Sequence, residues 1–127
     1  PDGSPASDKA VRFLLRNIDP APDGPDREPV MVTVAHVMPY LKYPELRESG
    51  NVLVKRYVDK VAKAGFQVQE AMRLGKPADE ILTEAKQEKV DVIVTGAKGL
   101  GAIGRALLGS VSTRVVQHAT CSVLVVR

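Results

Sequence analysis

Aromatic residues are scarce in this chain of 127 residues, which has no tryptophan, two phenylalanines and three tyrosines. A core with so few rings must be mainly aliphatic, as is typical of parallel sheets covered by helices on both faces. Cysteine is represented by Cys121 alone. A single thiol excludes an intrachain disulfide and a zinc site built from several thiolates, so we interpret Cys121 as a small packed residue.

Long apolar runs and a strong charge excess are also missing. No segment approaches the roughly 18 apolar residues that span a bilayer, and no secretory leader is recognisable. The formal net charge is +3, and the charges are interleaved, which argues against a nucleic-acid partner. The sequence therefore predicts a cytoplasmic protein with neither a membrane nor a nucleic acid as its partner.

Four helices are indicated by the spacing of apolar residues. Ser4 followed by Pro5 is typical of a helix start, and the positions after it predict a helix to about Asn17. Further helices are predicted at about 51–64, after Pro77 and at about 110–118. The proline-rich stretch 19–29 is predicted to be a loop, and the polar segment from 38 to about 51 is predicted to be irregular.

Strands are predicted at 30–37, 66–71, 92–95 and 122–126, where short runs are rich in aliphatic and β-branched residues. Because helices and strands alternate throughout, residues 1–127 are predicted to form one α/β domain with a mostly parallel sheet. Asp2-Gly3-Ser4 looks like the turn that leaves a strand. We therefore expect a hydrophobic strand ahead of Pro1 in the natural protein.

A glycine-rich loop follows the strand at 92–95. Gly96-Ala97-Lys98-Gly99 is followed by nine residues and then by Gly109-Ser110, at the start of a predicted helix. Glycines allow a ligand to approach the backbone, and a helix N-terminus presents free N–H groups and the positive end of the helix dipole. The arrangement predicts an anion site for phosphate.

Other phosphate motifs fit this loop less well. A P-loop needs a lysine before the helix serine, and none precedes Ser110. A dinucleotide fingerprint on Gly99, Gly101 and Gly104 lies in mid-loop, without the required following strand and acidic residue. A flexible glycine linker stays open as an alternative.

Gly96-x2-Gly99-x9-Gly109-Ser110 resembles the nucleotide motif of the ATP-binding branch of the universal stress protein family. Segments 2–4, 35–37, 75–81 and 121–126 also resemble segments of that family, so the resemblance covers the whole chain. It implies an open, Rossmann-like, five-stranded parallel sheet in the order 3-2-1-4-5, with helices on both faces.

The resemblance also implies a nucleotide site. It places Asp2 by the ribose and adenine, Val37 as an apolar wall for the base, and Thr95 as a residue that lines the pocket. The groups that would face the phosphates are the backbone amides of Gly96, Gly99, Gly109 and Val111, together with Ser110. Lys98 and Arg105 are equally compatible with phosphate neutralisation and with exposure to solvent.

No catalytic residue and no metal-ligand set is predicted. His36 is interpreted as a packed, hydrogen-bonded strand residue, and His118 as a helix-terminal residue that complements the dipole. The implied function is a regulatory switch in the stress response that binds ATP, with AMP as an alternative, together with Mg²⁺, in a homodimer paired through the C-terminal strand. A slow ATPase or nucleotide-transferring enzyme, and an interaction module without nucleotide, stay open as alternatives.

Overall fold

The computed structural model describes residues 4–24, 28–39, 43–97 and 108–127. Four helices and four strands alternate along this part of the chain, as the sequence predicts. In chain order they are α1 (Pro5–Asn17), β1 (Met31–Met38), α2 (Tyr43–Lys63), β2 (Gln67–Leu74), α3 (Pro77–Gln87), β3 (Val92–Gly96), α4 (Ser110–His118) and β4 (Ser122–Val126).

The start of α1 confirms the predicted helix cap. The Ser4 hydroxyl accepts a hydrogen bond of 3.2 Å from the Ser7 amide, and Pro5 occupies the first helical position. Ser4 is 2% exposed, so the cap is buried. A cap of this kind satisfies one of the amides that a helix leaves without an internal acceptor.

The prediction that 38–51 is irregular was wrong, because α2 begins at Tyr43. Pro44 is compatible with a helix in its first turn, where the missing N–H has no acceptor to lose. Gly50 resembles a helix breaker in the sequence, but here it is buried against the side chains of Met38 and His36. This close contact with β1 explains why a glycine lies inside the helix.

The strands form two parallel pairs within the described residues. β1 pairs with β2 in a register that joins Met31 to Gln67 and Met38 to Leu74. β3 pairs with β4 in a register that joins Val92 to Ser122 and Gly96 to Val126. The two strands of the first pair therefore end later than the predicted 37 and 71, since the ladder continues to Met38 and Leu74. The fold is α/β with parallel strands.

Helices cover both faces of the β1–β2 pair. Val34 of β1 joins Val54, Tyr57 and Val61 of α2 in the buried core, while Arg73 of β2 bonds to α3. Because successive strand residues face opposite sides, α2 and α3 lie on opposite faces. α1 packs against β3 and β4 and also contributes Val11, Leu14 and Leu15 to the core.

The core is mainly aliphatic, as the composition predicts, but Tyr57 and Phe66 lie at its centre. Tyr57 is 0% exposed. The α2 helix ends before Gly65, whose φ of +97° is a left-handed conformation that glycine adopts without steric cost. None of the helices in the described part of the chain has the length and apolar character needed to cross a membrane.

Candidate functional site

The candidate site lies at the carboxyl end of β3, where α1 and α4 both begin. Gly96 is the last residue of β3, and the first turn of α1 packs directly against it. A Cβ atom on Gly96 would lie 2.5 Å from the backbone oxygen of Ala6. No side chain fits in that space, so Gly96 is required for the packing of α1 on β3.

The start of α4 is attached to the same strand end by two hydrogen bonds. The Gly109 amide donates to the Ala97 carbonyl at 2.7 Å. The Ser112 hydroxyl donates to the Gly96 carbonyl at 2.6 Å, and Ser112 is 4% exposed. These bonds hold the first turn of α4 beside the end of β3.

The role predicted for the Gly109 amide needs correction. This amide was expected to face phosphate, but it donates to the Ala97 carbonyl instead. Gly109 has φ −64° and ψ 161°, an extended conformation that any residue adopts. Backbone conformation therefore does not require glycine at this position.

The first turn of α4 has the electrostatic character of an anion site. Its first internal hydrogen bond runs from the Thr113 amide to the Gly109 carbonyl, so the amides of Ser110 and Val111 precede the first amide that donates within the helix. The first turn contains no acidic residue, and Ser110 is exposed. Amides without an acceptor inside the helix, together with the positive end of the helix dipole, favour an anion at this position.

Thr95 lies next to the same strand end. It is half-buried, and its hydroxyl donates to the Gly96 carbonyl at 3.2 Å. The structure therefore brings together five of the predicted site residues, namely Thr95, Gly96, Gly109, Ser110 and Val111. Their clustering agrees with a site at the end of β3.

Val37 lies in the other pair of strands, where its register partner is Arg73 of β2. Within the described residues no strand pairing links it to β3. Asp2, Lys98, Gly99 and Arg105 lie outside the described residues, and so do Gly101 and Gly104 of the fingerprint that fits less well.

Two residues of this site were missed by the sequence analysis. Ser112 was not singled out because its bond to Gly96 joins residues 16 positions apart, and the predicted motif ends at Val111. Ala6 was missed because the contact between its backbone and Gly96 depends on how α1 packs. Nothing in the local sequence indicates that contact.

The histidines do not extend the site. His36 lies beside Gly50 of α2, with its Cδ2 atom 3.3 Å from the place that a Cβ of Gly50 would occupy, which agrees with a packed residue. His118 ends α4, as predicted. Across residues 4–24, 28–39, 43–97 and 108–127, no three His, Cys, Asp or Glu side chains are grouped in a way that could hold a metal ion.

Comparison with known sequences finds the same family over nearly the whole chain. The profile of the "Universal stress protein family" matches residues 2–127. The universal stress protein YxiE of Bacillus subtilis is 39% identical over 83 residues, or 65% of this chain and 56% of that protein. The universal stress protein MJ0531 of Methanocaldococcus jannaschii is 34% identical over 112 residues, which cover 80% of this chain and 66% of that protein. The matched region thus spans less than two thirds of either relative.

Solved structures of similar fold include nucleotide complexes. A universal stress protein in complex with cAMP has a TM-score of 0.63 and 25% identity, covering all of this chain and 91% of the other. A family protein of Arabidopsis thaliana with AMP bound has a TM-score of 0.67 and 25% identity, covering 94% of this chain and 75% of the other. The universal stress protein of Archaeoglobus fulgidus in complex with dAMP shares the fold, with a TM-score of 0.72 and 22% identity, and the match covers 92% of that chain. Three findings agree: the alternating α/β order, the packing of Gly96 against two helix starts, and the family match over residues 2–127. The chain therefore belongs to the universal stress protein family.

Proposed function

We propose that this chain binds an adenine nucleotide at the carboxyl end of β3, with the phosphates at the first turn of α4. The observation that carries the proposal is the attachment of α4 to the strand end through Ser112 and Gly109. This attachment places the amides of Ser110 and Val111 at a turn without acidic residues. Such a turn is suited to phosphate because its amides need no rearrangement to bind an anion.

The relatives support adenine as the base. The solved family members named above contain cAMP, AMP and dAMP, so adenine is common to ligands that differ in their sugar or phosphate. ATP is our finer proposal for this chain, on the strength of the glycine pattern from Gly96 to Ser110. AMP is the alternative, and competition between the two distinguishes them.

The base and ribose are assigned to residues on either side of the phosphate site. We assign Val37 as the apolar wall for adenine, Asp2 as a ribose contact, and Thr95 as a residue that lines the pocket. The proposed sheet order 3-2-1-4-5 counts a strand ahead of α1 as its first, so β1 to β4 correspond to strands 2 to 5 of that order. The additional strand would lie between β1 and β3, where ligands bind in open parallel sheets. This order would bring the end of β1, and with it Val37, to the same edge as Thr95.

Lys98, Gly99 and Arg105 complete the proposed loop. The Gly99 amide would approach the phosphates, while Lys98 and Arg105 would neutralise their charge. The described residues near the first turn of α4 supply hydroxyl and carbonyl oxygens but no carboxylate from that turn. They do not form a Mg²⁺ site by themselves, so an accompanying Mg²⁺ would take most of its ligands from the phosphates and water.

The biological role we propose is a regulatory switch in the cytoplasm. Nucleotide binding would shift the population of loop conformations and, with it, the association of two copies. Among the described residues the apolar strand β4 pairs only with β3, so its other edge would be available for pairing between chains. A slow ATPase or nucleotide-transferring enzyme is the second candidate, and an interaction module that needs no nucleotide is the third.

Calorimetry with ATP, AMP and cAMP, with and without Mg²⁺, tests the proposal on the full-length protein. Ser110→Glu places a negative charge where the phosphates would bind, yet an acid in the first turn favours the helix. We expect at least about tenfold weaker ATP binding without loss of thermal stability. Gln117→Glu, in the last turn of α4, makes the same charge change away from the site and should bind as the wild type does.

The outcomes separate the three candidates. Binding by the wild type with loss in Ser110→Glu supports the nucleotide site, and sedimentation with and without ATP then tests the homodimer. Phosphate release well above background that is abolished when one acidic residue is replaced would support the enzyme. If the intact wild type binds none of the three nucleotides, the proposal is wrong and the interaction module is favoured.

A further inference from the structure

A part-buried hydrogen bond joins α1 to α2. The Tyr57 hydroxyl of α2 donates to the Asp8 carboxylate in the first turn of α1. Tyr57 is 0% exposed, so its hydroxyl would be left without this acceptor if the bond were absent. A buried polar group in that state costs about 1–3 kcal/mol, which makes the contact specific.

The remaining packing of α1 on the core is mainly aliphatic. Val11, Leu14 and Leu15 contact the cluster that contains Tyr57. Aliphatic contacts favour burial but have little directional preference, so they permit small shifts of a helix along its axis. A hydrogen bond to a carboxylate depends on distance and angle and opposes such a shift.

A shift of α1 would be felt at the site, because Ala6 is two residues from Asp8 in the same turn. The Ala6 backbone fills the space that a side chain of Gly96 would need. Gly96 in turn provides the carbonyl that accepts from Ser112 of α4. Contacts therefore run without a break from Tyr57 through α1 and the end of β3 to the first turn of α4.

We propose that Tyr57 and Asp8 are positioning residues for the nucleotide site, which hold the first turn of α1 against Gly96 and so fix the place of α4. The inference rests on the proposed function, since positioning is measured there as nucleotide affinity. Burial and the bond to Asp8 raise the pKa of Tyr57 to about 12. The hydroxyl thus stays a donor throughout the neutral range.

The test uses Tyr57→Phe, Asp8→Ala and the double variant in calorimetric titrations with ATP. We expect each single variant to bind about 3- to 10-fold more weakly, and the double variant to bind no more weakly than the worse single one, because both remove the same contact. Asp8→Asn retains an acceptor oxygen for the hydroxyl and should recover most of the affinity.

A control separates positioning from stability. Val61→Ala removes buried side-chain volume from the same core without touching the hydrogen bond, so it should lower the melting temperature while ATP affinity is kept. If Tyr57→Phe binds ATP as tightly as the wild type, or if Val61→Ala weakens binding equally, the positioning role is wrong.

Amide hydrogen exchange gives a second measurement that needs no nucleotide. In Tyr57→Phe we expect faster exchange at Ala97 and Thr113, whose amides bond near the end of β3 and the start of α4, and no comparable change there in Val61→Ala. Failure of the wild type to bind nucleotide would overturn the proposed function alone. Unchanged exchange at both amides would overturn the positioning role independently.

Discussion

Ser112 donates its hydroxyl hydrogen to the carbonyl oxygen of Gly96 at 2.6 Å, and this bond connects the first turn of α4 to the last residue of β3. Ser112 is 4% exposed, and Gly96 is half-buried under the first turn of α1. A short bond in such surroundings fixes the direction in which α4 leaves the strand end. The proposed phosphate site depends on that direction.

Ser112→Ala tests this connection directly. Loss of the buried bond should lower the free energy of unfolding by about 1–2 kcal/mol and weaken nucleotide binding severalfold. Urea unfolding and calorimetry measure the two effects. Ser49→Ala removes an exposed hydroxyl that bonds within α2, so it should change stability by less than about 0.5 kcal/mol. Equal effects from both substitutions would contradict the special role of Ser112.

Gly96→Ala should destabilise the protein by about 1–3 kcal/mol or more, because its Cβ would meet the rigid backbone of Ala6 at 2.5 Å. Gly50→Ala is the matched comparison. Its Cβ would meet the Met38 sulfur at 3.0 Å and the His36 ring at 3.3 Å, which are longer contacts and involve side chains instead of backbone, while alanine favours the helix. Thermal unfolding should therefore show a much larger loss for Gly96→Ala, and similar losses would refute this explanation.

Alkaline pH should destabilise the protein through Tyr57. Burial first, and then the bond to Asp8, raise the pKa of this hydroxyl from 10.0 to about 12. The unfolded chain therefore loses this proton at lower pH than the folded one, so the stabilisation is complete below pH 10 and is lost as the pH rises through about 12. The loss should reach roughly 3 kcal/mol.

Tyr57→Phe provides the comparison for this pH dependence. The free energy of unfolding of the variant should fall less steeply between pH 10 and 12 than that of the wild type. Unfolding followed by circular dichroism at several pH values measures this difference. Tyrosinate absorbance should contain a late-titrating component in the wild type that is lost in the variant. A wild-type Tyr57 that titrates near the ordinary tyrosine pKa of 10.0 would contradict the bond to Asp8.

Arg73 should stabilise the contact between β2 and α3 through the shape of its guanidinium group. Its Nε atom lies 3.1 Å from Glu80, and one terminal nitrogen lies 3.2 Å from Glu84. Lysine cannot reproduce two contacts in this geometry, so Arg73→Lys should lower the melting temperature by roughly 2–5 °C. Arg114 pairs with Asp79 at 2.8 Å, but their side chains are 56% and 44% exposed. Arg114→Lys should therefore change the melting temperature little. A larger loss in Arg114→Lys than in Arg73→Lys would contradict this explanation.

The strongest local patterns predicted their elements well. Ser4-Pro5 marked the start of α1, and the aliphatic runs at 92–95 and 122–126 lie in β3 and β4. The start of α2, from Tyr43 to Gly50, was missed because the segment is polar and irregular in pattern, and because Gly50 is unfavourable in most helices. Burial of Gly50 against Met38 and His36 overrides that preference, and this contact exists only once α2 packs on β1.

The sequence by itself determined the class of fold and the position of the candidate site. Hydrophobic periodicity acts within a few residues, and the glycine pattern from Gly96 to Ser110 is local as well. Only the tertiary structure decided that Gly96 must be glycine because of Ala6, and that the Gly109 amide bonds to Ala97. It also decided that Ser112 bonds to Gly96 and Tyr57 to Asp8. These relationships join residues that are distant in the chain, and their distances are set by how the helices pack on the strands.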